Sequence, residues 1–173
     1  MRRIIVTGAN GAGKTDFVGR LSISVPQLPV FHFDSLKLTR DWVQRDRSDI
    51  EARLRSVIAT PTWILEGGPS FLAEAMPRAD VLVWLDPPTP VRAWRLAKRP
   101  WTSLGRTRPE LPDGNPDRLW QQYGFALGSL AKSRSFHDAV AAYAAAPAAQ
   151  VLHCRSRRDT EAALAILAAG ASS

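Results

Sequence analysis

The sequence is poor in cysteine, in long apolar runs and, over one stretch, in acid. Of its 173 residues only Cys154 is a cysteine, which excludes an internal disulfide framework and any cysteine-based zinc module. The longest weakly apolar stretch, 139–149, is mostly alanine and is interrupted by Pro147, so it cannot span a bilayer. Behind the basic start Met1-Arg2-Arg3, the apolar run Ile4–Val6 is too short for a signal peptide, and a cytoplasmic, membrane-free protein is expected. Internal repeats, low-complexity linkers and the guanine-reading [NT]-K-x-D motif are missing. So are a helix-turn-helix signature, a zinc finger and an aromatic-basic RNA motif.

What is present suits a globular chain. Apolar residues make up 45% and charged residues 23%, which excludes wholesale disorder. The length matches one domain that buries about two-thirds of its surface. There are 23 Lys and Arg against 16 Asp and Glu, a net charge of +7. That excess fits nucleic acid, an anionic surface or a small ligand carrying several phosphates.

Short apolar runs at Ile4–Thr7, Val30–Phe33, Trp63–Leu65, Val81–Leu85 and Val151–His153 alternate with helical patterns, the signature of a parallel α/β sheet covered on both faces. Ser48-x-x-Glu51 reads as a capping box, followed by Ile50, Leu54, Val57 and Ile58 at helical spacing. Thr89-Pro90 reads as a helix start and Pro100 as its stop; a last helix is expected from near Asp159 to Gly170. Residues 100–116 hold Pro100, Gly105, Pro109, Pro112, Gly114 and Pro116 without apolar period, a long loop of the kind that serves as a lid.

Between the first strand run and its helix stands Gly8-Ala9-Asn10-Gly11-Ala12-Gly13-Lys14-Thr15, a match to G-x-x-x-x-G-K-[ST]. The glycines let successive N–H groups curl around an anion at the positive end of the following helix. In this pattern Lys14 reaches the outer phosphates and the Thr15 hydroxyl ligates Mg²⁺. Three acids, Asp34, Glu66 and Asp86, fall at C-terminal ends of expected strands, the edge where open α/β sheets bind ligands. Composition does not choose among them, although Val81–Asp86 has the pattern of a Walker B strand. Residues 92–108 hold Arg92, Arg95, Lys98, Arg99, Arg106 and Arg108 and no acid, a local charge of +6. Arginines beside such a loop grip phosphate oxygens and neutralise charge on a transferred phosphoryl group.

The ordered set GANGAGKT, FHFDSL, WILEGG, VLVWLDPP and RLAKR…GRTRP resembles the adenylate-kinase-like P-loop kinases, most nearly the bacterial DNA topology modulation proteins. The resemblance covers roughly residues 2–160. It implies a three-layer αβα P-loop sandwich with a five-stranded parallel sheet of order 2-3-1-4-5. It also implies a single domain over 1–173, with a core of 1–91 and 117–173 and a lid-like segment 92–116. It favours Glu66 as the water-mediated Mg²⁺ partner and demotes Asp86. Asp34 falls where related small-molecule kinases place an acid that contacts the acceptor. Arg95 and Arg99 match a pair implying adenine stacking and phosphate contact, and Arg106 and Arg108 match lid arginines. Glu66-Gly67-Gly68-Pro69 departs from the family by lacking the arginine of the adenylate kinase motif, which argues against AMP as acceptor.

The expectation is therefore an ATP-dependent, Mg²⁺-assisted kinase acting on a small molecule, with an ATPase or a nucleotide-switched nucleic-acid regulator as alternatives. Nucleic acid is not needed to explain the charge. Trp42 could line the acceptor pocket or sit in the core; Lys37, Arg40 and Arg45 could hold an anionic acceptor or be solvated. His32, His137 and His153 lack metal spacing and read as structural, as does Cys154. Arg155, Arg157 and Arg158 open the turn where related kinases cradle adenine.

Overall fold

Each apolar run becomes a strand because both of its faces are covered. The structure, a computed structural model, describes residues 1–102, 128–145 and 149–171, with the side chains of Asp41 and of 99–102 excepted. The strands are β1 (Arg3–Gly8), β2 (Val30–His32), β3 (Trp63–Gly67), β4 (Val81–Leu85) and β5 (Gln150–Cys154). They form one sheet of order β2-β3-β1-β4-β5, and every pair is parallel. The order is the one the resemblance implies.

Because side chains alternate across a strand, the two faces collect different residues. Ile4, Val6, Val81, Val83 and Leu85 pack with Phe17, Val18 and Leu21 of α1 (Lys14–Ser24) and Leu164 and Leu167 of α7 (Arg157–Ala171). Ile5, Trp63, Leu65, Leu82 and Trp84 pack on the other face with Ile50, Leu54, Val57 and Ile58 of α3 (Arg47–Ala59) and Val140 of α6 (Ser133–Ala144). Burying each such side chain contributes about 1.5–3 kcal/mol. Short helices α2 (Phe33–Lys37) and α4 (Leu72–Ala75), the long α5 (Thr89–Thr102) and the 3-10 turns Arg40–Trp42, Pro69–Phe71 and Met76–Arg78 join them. No helix among the described residues is long and apolar enough to cross a membrane.

Three local expectations change. Helix α3 begins at Arg47 with Asp46 as N-cap and no side-chain cap, so Ser48 and Glu51 form no capping box. Glu51 instead pairs with Arg47 at 2.8 Å and Arg55 at 3.4 Å, one turn away on either side. Helix α5 runs through Pro100 to Thr102, and Phe33 opens α2 rather than closing β2.

One carboxylate staples the sheet at its N-terminal edge. Asp80, just before β4, accepts from the amides of Arg2 and Arg3, at 2.8 and 3.1 Å, and from the Arg3 guanidinium, at 2.6 Å. Burial alone would raise its carboxyl, but these donors outweigh burial and hold it below the usual carboxylate value.

Candidate functional site

The loop Gly8–Thr15 leaves the centre of the sheet and enters α1. A Cβ at Gly8 would lie 2.5 Å from the Leu85 carbonyl oxygen, so only glycine lets the loop cross β4 this closely. Gly11 and Gly13 take φ of 80° and 98°, values that turn the chain back towards the helix at no cost only in glycine. The Ala12 amide donates to the Ala9 carbonyl at 3.0 Å. Lys14, the first residue of α1, donates from Nζ to the Gly8 carbonyl at 2.9 Å, and the same nitrogen lies 3.8 Å from Glu66 Oε1. Thr15 is half-buried beside it.

The three acids have separate surroundings. Glu66 lies on β3 opposite Val6 of β1 and His32 of β2 and is only 6% exposed. Its second oxygen is 2.8 Å from His32 Nδ1, so a lysine and a histidine hold the two ends of one carboxylate. Asp34 stands in the first turn of α2, exposed, at the same sheet edge. Asp86 turns to the opposite side of the loop, where Oδ2 lies 3.1 Å from His153 Nε2 and 3.7 Å from His137 Nε2. The Trp84 indole stacks on the His153 imidazole with centroids 4.0 Å apart. Asp86 is thus engaged away from Lys14, while Glu66 faces it.

The basic stretch divides. Arg95 donates from Nη1 to the carbonyls of Gly11 and Ala12, at 3.3 and 2.9 Å. Arg92 is 4% exposed and donates from Nε to the Asn10 carbonyl at 3.1 Å and from Nη1 to Ser133 Oγ at 3.0 Å. Lys98 lies over the Trp94 ring, 5.4 Å from its centroid. The Arg99 side chain, Arg106 and Arg108 lie outside the described residues, as does most of the lid-like segment.

On the β4–β5 side of the loop a cleft of about 780 Å³ is lined by Gly13, Pro88, Val91, Arg95, Ser156 and Thr160, among others. Its floor includes Cys154, whose thiol burial pushes up to about 11, with a smaller push from Asp159. Asp159 accepts from the amides of Arg155 and Ser156, at 3.0 and 2.8 Å, which fixes the turn between β5 and α7. Beyond α2, the turn Arg40–Trp42 places Trp42 at φ 60°, the one non-glycine residue with positive φ among those described. An indole at such an angle is a strained position. The turn is closed by a bridge between Leu38 and Gln44.

The structure therefore gathers Gly8–Thr15, Glu66 and Arg95 into one place, with Asp34 at the same edge. Reading the sequence missed four contacts: His32 beside Glu66, Arg92 beneath the loop, and His137 and His153 around Asp86. No spacing signals them, since each contact joins residues 34 to 82 positions apart. No metal-capable cluster of three His, Cys, Asp or Glu occurs among the described residues.

Neither protein-family models nor curated proteins give a match to this chain. Among solved structures it is similar to TT1252 from Thermus thermophilus, with 16% identity over 96% of each chain and a TM-score of 0.56. It is similar to shikimate kinase from Bacteroides thetaiotaomicron, with 17% identity over 99% of each chain and a TM-score of 0.53. A sugar kinase from a Janibacter species shares 18% identity over 95% of this chain and 93% of its own, with a TM-score of 0.51. The likeness is one of fold: a P-loop α/β sandwich whose five parallel strands run in the order 2-3-1-4-5.

Proposed function

We propose that the protein is a P-loop kinase that transfers a phosphoryl group from ATP to a small hydroxylated acceptor with the help of Mg²⁺. The observation that carries this reading is the loop Gly8–Thr15 at the end of the central strand, with Lys14 set between its own loop and the buried carboxylate of Glu66. In such a site the loop amides and Lys14 hold the β- and γ-phosphates. The cleft lined by Pro88, Val91 and Ser156 has the apolar walls and backbone groups to hold a base. The fold it shares with a shikimate kinase and a sugar kinase supports a small acceptor rather than a macromolecule.

The oxygen donors at the loop fit a hard cation. The Thr15 hydroxyl and the Glu66 carboxylate, the latter through water, would hold Mg²⁺. When bound, the ion neutralises charge on the phosphates. The remaining work belongs to the chain. Asp34 orients the acceptor hydroxyl and accepts its proton as the bond to phosphorus forms. Arg99, Arg106 and Arg108 stabilise the equatorial oxygens of the transferring group, as the resemblance implies, and Arg95 lies against the nucleotide.

Lys14→Ala should abolish turnover, and Asp34→Asn should lower kcat by about 10²-fold or more with ATP affinity retained. The measurement is ATP-dependent phosphorylation across a metabolite library. Unchanged transfer in the Lys14 variant would sink the phosphate assignment, and full activity in Asp34→Asn would move the acceptor role to another acid. ATP hydrolysis that no acceptor stimulates would replace the kinase with an ATPase.

A further inference from the structure

Arg92 is an arginine in an unusual place. At 4% exposed it is more buried than almost any arginine without a carboxylate partner. Its Nε and Nη1 are used by the Asn10 carbonyl and Ser133 Oγ. Its Nη2 is buried and has no hydrogen-bond partner among the described residues. No carboxylate among the described residues stands within ion-pair distance of it. Asp86 attracts it only from farther away, and Asp86 is itself engaged by His153 and His137. Burial accordingly pulls the guanidinium below its usual pKa.

A trans peptide group is planar, with its C=O and N–H pointing in opposite directions. A donor that holds the Asn10 carbonyl towards α5 therefore turns the Gly11 N–H away from α5. Arg95 treats the next two peptides in the same way through the carbonyls of Gly11 and Ala12. The backbone of Arg92 braces the same point, because its carbonyl oxygen lies 2.9 Å from where a Cβ at Gly11 would sit. Three consecutive loop carbonyls are thus drawn onto one helix. Carbonyl oxygens turned inward would repel a polyphosphate; held outward, they keep that repulsion away, and the Asn10–Gly11 peptide presents its N–H on the opposite side, while the Ala12 amide is taken by the Ala9 carbonyl.

We propose that Arg92 is the positioning residue of the phosphate loop, holding the Asn10–Gly11 peptide in its anion-binding orientation and setting a buried, carboxylate-free positive charge behind it. Such a charge is costly in the ligand-free protein and is compensated when phosphates arrive. It is retained for binding rather than for stability. The inference rests on reading Gly8–Thr15 as a nucleotide phosphate site, and it requires no knowledge of the acceptor.

The test compares wild type, Arg92→Met and Arg92→Lys by calorimetric titration with sodium tripolyphosphate, ATP and adenosine, together with the Tm of each ligand-free protein. Arg92→Met should bind tripolyphosphate and ATP about tenfold or more weakly and adenosine as before, with a ligand-free Tm equal to or above wild type. Arg92→Lys, which keeps the charge but not the fork, should fall between. Unchanged tripolyphosphate affinity in Arg92→Met overturns the proposal, as does an equal loss for adenosine and tripolyphosphate, which marks a general structural collapse. If Arg92→Met does not fold, Arg92→Lys decides by the same ratio. A wild type that binds no tripolyphosphate overturns both this inference and the kinase reading. One that binds it but phosphorylates nothing removes the kinase and leaves the role of Arg92 standing.

Discussion

Glu66 shows what a single residue gains from its neighbours. In the sequence it is one of three acids at strand ends. In the fold its two oxygens are divided between Lys14 and His32, which Asp34 and Asp86 are not. Cys154 shows the opposite case, a residue whose chemistry is suppressed by its surroundings. Its thiol is 3% exposed and burial raises it from 9.0 to about 11. The folded protein thus holds the thiol proton more tightly than the unfolded chain does. Nothing is contributed below about pH 9, and stability falls as pH rises from there towards 11, by about 1.4 kcal/mol per pH unit at most. Urea unfolding at pH 8, 9 and 10 should show this decline in wild type and a shallower one in Cys154→Ala. Parallel curves for the two proteins would mean that the thiol titrates normally.

At the scale of elements, the strands were legible because their signal is local. A continuous apolar run such as Val81–Leu85 is buried on both faces, as a strand covered by helices on both sides requires. Helix ends were less legible. Ser48 and Glu51 have the spacing of a cap, but the chain entering α3 starts the helix two residues earlier, at Arg47 with Asp46 as N-cap. Nor did Pro100 end α5, which continues for two residues beyond it. The staple at Asp80 was not visible at all, because it joins β1 to the approach of β4 across 77 and 78 positions. Asp80→Asn keeps one acceptor oxygen for the two backbone amides but loses the charge and the second oxygen that the Arg3 guanidinium uses, and should cost about 1–2 kcal/mol, or roughly 3–6 °C in Tm. The folded-state carboxyl is held low, so its contribution is present above the ordinary value of 3.8 and lost as pH falls through the folded value. The gap between variant and wild type in thermal melts should therefore be widest near neutrality and close in acid. A gap that persists undiminished at pH 2 would assign the effect to packing.

For the whole molecule, the net charge of +7 acquires a direction. Of the six basic residues in 92–108, Arg92 and Arg95 turn onto the loop Gly8–Thr15, and Lys98 lies over Trp94. Cations gathered at one loop predict that the natural counter-charge is a bound polyphosphate. ATP at a hundred times its Kd should therefore stabilise the protein by about 2.7 kcal/mol, or roughly 5–10 °C by thermal shift. Lys14→Ala should show little of this shift. An equal shift in both proteins would place the nucleotide elsewhere.

By itself the sequence determined the loop Gly8–Thr15, the parallel α/β class and the strands that carry them. These rest on short-range rules: glycines where the backbone must turn, apolar runs where both faces are covered. The resemblance already favoured Glu66 among the acids; only the tertiary structure set it facing Lys14, with His32 sharing it, and put Arg92 beneath the loop rather than in a solvated lid. Those assignments depend on strand order and register, which bring together residues far apart in the chain. Sequence spacing carries no record of such contacts, because the energy that selects them comes from packing the sheet between its helices.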